Sequence, residues 1–395
     1  MTISFLQGDV FDKLKELDNN SVDCVVTSPP YWGLRDYGVP GQLGLEPTYQ
    51  EHIKNIVELF RAMKPKLKDS ATIWLNYGDS YAATVNGTKV KDMKKNLQKN
   101  RIKNKGKTNG VYDDRGFIDK PFSTIQGSLK PKDLVMIPNR IAIALQDDGW
   151  WIRSEIIWHK PNPMPESTKD RPTQCHEKIW LITKSKKYYY DSDAIKESTK
   201  HPKAKANWTS KQRIERAKSL DRKPVGNEIN GKKYNGQSFK NKRNVWTITT
   251  KPCKEAHFAT FPKDLIEPCI KAGCPEKVCS KCGKPQIKEI YREKNWQHKK
   301  SEKHTDKTNP KGSKNAFGQK YQKWLEENPP QITIKPSCDC DADFKPGVVL
   351  DPFGGSGTTG IVAQQFNRTA ILIELNLEYI KIAKKRIDKE LGMFR

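Results

Sequence analysis

Apolar and polar positions fall into blocks along the chain, and the blocks carry different periods. "ISFLQGD" (3–9) and "VDCVVTSPP" (22–30) are short apolar, partly β-branched runs that predict strands. "VFDKLKEL" (10–17) predicts a short helix between them. In "YQEHIKNIVELFRAMKPKL" (49–67), Ile53, Ile56, Val57 and Phe60 recur at helical spacing. "ATIWLNYGD" (71–79) predicts a third strand. Strands alternating with helices imply α/β units around a mostly parallel sheet. Residues 86–130 lose the pattern and read as a mobile Lys/Asn-rich loop. A helix is predicted over 132–149, and aromatic strands over 150–160 and 178–191. Residues 195–250 are again basic, with isolated Trp208, Tyr234, Phe239 and Trp246. After a third polar insertion, 277–345, the order is strand, Gly-rich turn, helix, strand, helix. No internal repeat is visible.

Composition adds one strong fact. The 395 residues carry a formal net charge of +26, a field that attracts polyanions, nucleic acid foremost. Hydrophobic residues make up 35% and mean hydropathy is −0.82, so a core forms beneath much polar surface. No run approaches the roughly 18 apolar residues of a membrane span, and the N-terminal residues lack the pattern of a secretory signal. A cytoplasmic protein that does not contact membrane is expected. Its nine cysteines then read as free or metal-binding rather than disulfide-bonded.

"DPFGGSGTTG" (351–360) contains a G-x-G-x-x-G turn between an apolar strand and a helix, and Glu374 ends the next strand. That is the pattern of a nucleoside cofactor on a βαβ unit, with the acid accepting from ribose hydroxyls. No Lys precedes the Ser/Thr, so a phosphate loop is excluded. Asp351 at the turn's mouth would repel a pyrophosphate and attract the cationic methionine part of S-adenosylmethionine. NAD is the alternative.

"TSPPYW" (27–32) stops a strand with two prolines and delivers a hydroxyl, a rigid bend and aromatic rings to one point. Enzymes that modify bases flip the target out of the duplex and hold it by stacking and edge hydrogen bonds. Ser28 and the Pro29 backbone supply acceptors for an exocyclic amine, and Tyr31 a π-face. Pro252-Cys253 lacks the context of a thiolate nucleophile for cytosine C5 methylation, and His257 reads as a packing residue. Trp150, Trp151 and Trp158 read as core or pocket walls. Cys279-x-x-Cys282 and Cys338-x-Cys340 have the close pairing of a four-sulfur zinc site, with His298 and His304 as alternative ligands and Cys274 as a buried thiol.

Together these motifs resemble the amino-group DNA methyltransferases of the circularly permuted β class, which act on cytosine N4 or adenine N6. The resemblance implies a Rossmann-like, S-adenosylmethionine-dependent fold: a mixed, mostly parallel seven-stranded sheet interrupted by basic insertions. Ser28, Pro29, Pro30 and Tyr31 match the catalytic corner. Phe353, Gly355, Gly357 and Thr358, with Asp351 and Glu374, match the cofactor loop. Asp9 in "LQGD" matches a strand end that contacts the cofactor adenine. Thr260, Phe261 and Pro262 in "HFATFPKDLIEPCI" (257–270) match the segment that wraps its methionine part. "WHKPNPMP" (158–165) and "HEKIWLITKS" (176–185) match strands of the target pocket.

The implied organisation is a catalytic half (1–85), a basic loop (86–130), further sheet strands (131–194) and a candidate target-recognition region (195–250). A cofactor-wrapping segment (251–276), a cysteine-paired zinc insertion (277–345) and a cofactor-binding half (346–395) follow. Serine first in the corner favours cytosine N4, with adenine N6 as the alternative. An inactive nucleic-acid-binding relative, or methylation of RNA or a protein glutamine, are further alternatives. The partners implied are double-stranded DNA and a cognate restriction endonuclease, for a prokaryotic or phage-encoded monomer or homodimer.

Overall fold

The computed structural model describes residues 2–83, 118–198, 239–251, 261–291, 324, 327–328 and 331–392. In chain order the first elements are β1 (Ile3–Gln7), α1 (Val10–Lys15), β2 (Val22–Thr27), α2 (Tyr49–Met63) and β3 (Leu67–Tyr77). Then come α3 (Ile137–Asp147), β4 (Trp151–His159), β5 (His176–Thr183), β6 (Val245–Thr247) and α4 (Lys263–Gly273). Four strands follow: β7 (Lys277–Cys279), β8 (Gln286–Tyr291), β9 (Gln331–Pro336) and β10 (Phe344–Pro346). The chain closes with β11 (Val348–Asp351), α5 (Thr358–Gln365), β12 (Thr369–Glu374) and α6 (Leu377–Gly392). Two compact units form, Glu276–Lys345 and the remainder.

In the larger unit one sheet runs β1–β12–β11–β2–β3–β5–β4–β6. Every neighbouring pair is parallel except those made by β5, which is antiparallel to both β3 and β4. Both faces are covered, so the central strands are apolar without a polar side: β2 is buried at all six positions. Val25 packs into one core, with α1, α2 and α3. Its neighbours Cys24 and Val26 pack into the other, with α4 and α5. α2 starts on a capping box in which Thr48 and Glu51 satisfy each other's backbone N–H groups.

Several expectations need correction. The sheet has eight strands, not seven. The extra edge strand, β6, comes from the region assigned to target recognition, and its Trp246 is buried 6.3 Å from the Trp74 ring. Three residues are too few to betray a strand by alternation. Residues 118–130 belong to the fold and not to a loose basic loop: Thr124 and Leu129 are buried, and the Thr124 N–H bonds the Ala83 carbonyl. The helix predicted over 132–149 begins at Ile137, because Met136 turns left-handed (φ 62°) ahead of Pro138. Trp150 and Trp158 are core residues, whereas Trp151 is 43% exposed. The basic stretches 86–117 and 199–238, and Cys253, His257, Thr260, His298 and His304, lie outside the described residues.

In the smaller unit β7 pairs with β10, and β8 pairs antiparallel with β9, Gln286 opposite Pro336 and Tyr291 opposite Gln331. Among the described residues no helix is long and apolar enough to cross a membrane.

Candidate functional site

Parallel strands deliver their carboxyl ends to one edge of a sheet, and ligands bind there. Here β1 ends before Gly8 and Asp9, β2 before Ser28, β11 at Asp351, β12 at Glu374, and β4 before Lys160. Antiparallel β5 brings its amino end to the same edge, and with it Glu177. These groups line one cavity of about 780 Å³. It joins Asp9, Ser28, Pro29, Pro30, Tyr31, Phe261, Asp351, Phe353, Gly355, Thr358 and Glu374 from both ends of the chain.

Two expected residues do not line it. Pro262 is the residue that starts α4. Gly357 starts α5 at φ 76°, and a Cβ there would stand 3.1 Å from both Ala383 and Ile387. Its glycine identity is required by the turn and by the packing of α6.

Around the glycine turn the carboxylates already have partners. Asp351 is 1% exposed; its Oδ1 accepts from Thr27 Oγ1 (2.8 Å) and Phe353 N (3.1 Å), and its Oδ2 from Thr359 Oγ1 (2.6 Å). Burial pushes it up to about 7, against the pull of the Thr359 and Thr27 hydroxyls. Glu374 takes the Gly355 and Asn376 N–H groups, 2.8 Å each, and burial raises it too. It thus fixes the glycine turn from the neighbouring strand. Asp9 caps α1 by accepting from Phe11 N (2.8 Å).

Behind the turn, buried Arg386 of α6 donates to Ser356 Oγ (2.9 Å) and Thr358 Oγ1 (2.7 Å). Nothing in the sequence pattern marks it beyond a basic residue on a mixed helix. Arg386→Met would strip those donors from the turn. It is expected to raise KM for the cofactor about tenfold with kcat nearly unchanged, from the ~1–3 kcal/mol cost of buried groups left unpaired. Initial rates at varied cofactor check this, and an unchanged KM would show the brace to be idle.

At the proline corner, Ser28 Oγ donates to Tyr31 Oη (3.3 Å), and Tyr31 Oη donates to Glu177 Oε2 (2.9 Å). Asn76 Nδ2 reaches the same oxygen at 3.0 Å, and Lys160 pairs with Oε1. The Tyr31 ring stacks on Tyr77, centroids 4.4 Å apart, so one of its faces is already covered. Tyr77 Oη in turn accepts the Trp32 N–H (2.8 Å) and lies 2.8 Å from buried His52, whose other nitrogen bonds Glu46. Burial, with the Glu177 charge beside it, pushes the Tyr31 hydroxyl well above its ordinary value, and it stays a neutral phenol. Asn76, Lys160 and Glu177 were not singled out from sequence. The available signal was their place as polar residues at the ends of apolar strands.

In the smaller unit, the sulfur atoms of Cys279, Cys282, Cys338 and Cys340 all lie within 4.8 Å of one another. Cys274 is buried elsewhere, with its thiol pushed up by desolvation.

Known proteins are similar in sequence along most of the chain. The DNA methylase family matches residues 22–279 and 276–385. The type II methyltransferase M.SmaI of Serratia marcescens is 37% identical over 380 residues, 96% of this chain and 89% of that protein. M.Cfr9I of Citrobacter freundii is 35% identical over 388 residues, covering 98% and 88%. M.XycI of Xanthomonas campestris pv. cyanopsidis is 34% identical over 385 residues, covering 98% and 87%. With a match along nearly its whole length and both motif sets on one cavity, the chain belongs to the DNA methylase family, enzymes whose methyl donor is S-adenosylmethionine.

Proposed function

We propose that the protein methylates N4 of a flipped cytosine in double-stranded DNA. The observation that carries this reading is the opening of the Ser28 corner and the glycine turn onto one cavity. S-adenosylmethionine supplies an electrophilic methyl group when bound there. Asp351, Glu374, Phe261 and Phe353 would hold it, and Asp9 stands at the adenine end.

An exocyclic amine is a poor nucleophile because its lone pair is delocalised into the ring. Ser28 Oγ and the Pro29 carbonyl accept its hydrogens and draw the nitrogen toward a tetrahedral form, while the open face of Tyr31 stacks on the base. The bound donor would supply the methyl carbon to the nitrogen lone pair, the carbon–sulfur bonding pair leaving with sulfur. The amine must then lose a proton. A serine can take it only by passing on its own, and its bonding supports such a path. The amine proton moves to Ser28 Oγ, the Ser28 proton to Tyr31, and the Tyr31 proton to Glu177. The ion pair with Lys160 holds that carboxylate in place. Catalysis rests on position and preorganised dipoles, with no covalent enzyme intermediate.

Serine rather than an acid at the head of the corner supports cytosine over adenine. Lysines and arginines of the basic surface would contact phosphates, and the type II designation of the relatives supports a cognate restriction endonuclease as a partner. Incubation with labelled S-adenosylmethionine and duplex DNA, followed by digestion to nucleosides, is expected to place the label on N4-methylcytosine. Label on N6-methyladenine would replace the target base. Label on RNA alone would replace the substrate.

A further inference from the structure

The smaller unit has a problem of stability that its own residues do not solve. Among the residues of Glu276–Lys345 whose side chains are described, only Val278 and Cys279 are buried hydrophobics. Ile287 is 49% exposed, Ile334 63% and Tyr291 40%. A two-stranded pair such as β8–β9 is marginal in water without a face to pack on.

The same unit gathers its four paired cysteines. The first pair sits on a tight knuckle: the Gly283 N–H bonds the Cys279 carbonyl (2.9 Å), and the Cys279 N–H bonds the Lys284 carbonyl (2.8 Å). Gly283 has φ 71°, which the turn requires. The second pair is tied to that knuckle across more than fifty residues. The Ser280 N–H bonds the Asp343 carbonyl (2.8 Å), and Ser337 Oγ donates to the Pro285 carbonyl. Two segments far apart in sequence are therefore held by backbone bonds so that four sulfurs converge, none more than 4.8 Å from another. A tetrahedral ion with zinc–sulfur bonds of about 2.3 Å spaces its ligand sulfurs by about 3.8 Å, close to this arrangement.

We propose that Cys279, Cys282, Cys338 and Cys340 bind one zinc ion that replaces the missing core of this unit. A closed four-thiolate site leaves no position for water or substrate, so the role is structural. The ion cross-links β7 to the segment preceding β10 and closes the base of the long excursion between the cysteine pairs. Binding there is folding energy for the unit.

The test uses the full chain, purified without added metal and analysed by elemental mass spectrometry. About one zinc per chain is expected, falling to under about 0.2 in Cys282→Ala and Cys340→Ala. Mercurial titration of the wild-type protein in the presence of a zinc-responsive dye is expected to release that zinc as four thiols react. Stripping it should speed tryptic cleavage within 276–345 at least about tenfold, since the unit then loses its core. Folded wild-type protein without zinc, iron in its place, or two disulfides among these cysteines would each overturn the proposal. So would cleavage at the same rate after stripping.

Discussion

Glu177→Gln is expected to lower kcat by about 10²-fold or more, the usual range for losing a positioned proton acceptor, with KM for S-adenosylmethionine unchanged. The amide keeps the size and the contact to Asn76 but cannot take the proton that leaves the amine. Tyr31→Phe is expected to fall as far, because it breaks the same path at its middle while keeping the ring on Tyr77. Tyr31→Ala should abolish turnover and spare cofactor binding. Single-turnover rates isolate the chemical step, and calorimetry with S-adenosylmethionine isolates binding. Full activity in Glu177→Gln would remove the carboxylate from the chemistry and leave Tyr31 as a stacking residue. An equal collapse of cofactor affinity in Tyr31→Ala would move that residue to the other side of the cavity.

The second large effect is on pH. Asp351 has an ordinary value of 3.8 and a folded value of about 7 in the cofactor-free protein. The folded state therefore binds more protons than the unfolded one between those limits. Its contribution to stability is fully present below about 3.8 and is lost as pH rises to about 7. A cation placed beside it has the opposite preference, because it favours the charged carboxylate. Binding below about pH 7 must expel a proton, so the Kd for S-adenosylmethionine is expected to rise about tenfold per unit on going down from there. Glu374, raised by the same cause, adds in the same direction. Calorimetry at three pH values in buffers of different ionisation heat checks both the slope and the proton release. A flat Kd between pH 5.5 and 7.5 would mean that the ammonium sits elsewhere. Asp351→Asn should flatten the profile.

The parts legible in sequence were those whose chemistry is local. A strand that stops at two prolines, and a glycine turn flanked by strand and helix, announce themselves within ten residues. The resemblance then put Ser28 and Gly355 at one cleft, and the parallel pairing of β2 with β11 is the physical means. Glu177 was not legible in this way. Its place depends on β5 running opposite to its neighbours, which turns a strand's start toward the site, and no composition marks a strand's direction. Trp246 was not legible as a core residue for a related reason: it stands in a basic stretch, and its burial comes from pairing with β4, residues some ninety positions away. The partners of Asp351 split likewise. Thr359 follows it by a helical turn or two, but Thr27 is 324 positions distant.

That last separation has a bearing on timing. A ribosome adds roughly 5–20 residues per second, so about 16–65 seconds pass between the making of Thr27 and of its carboxylate partner. For that interval the nascent polypeptide has Ser28 but not the Asp351 strand end beside it. Binding of the donor is expected only once β11 and β12 have been made, and a chain truncated before β12 is expected to show no methylation.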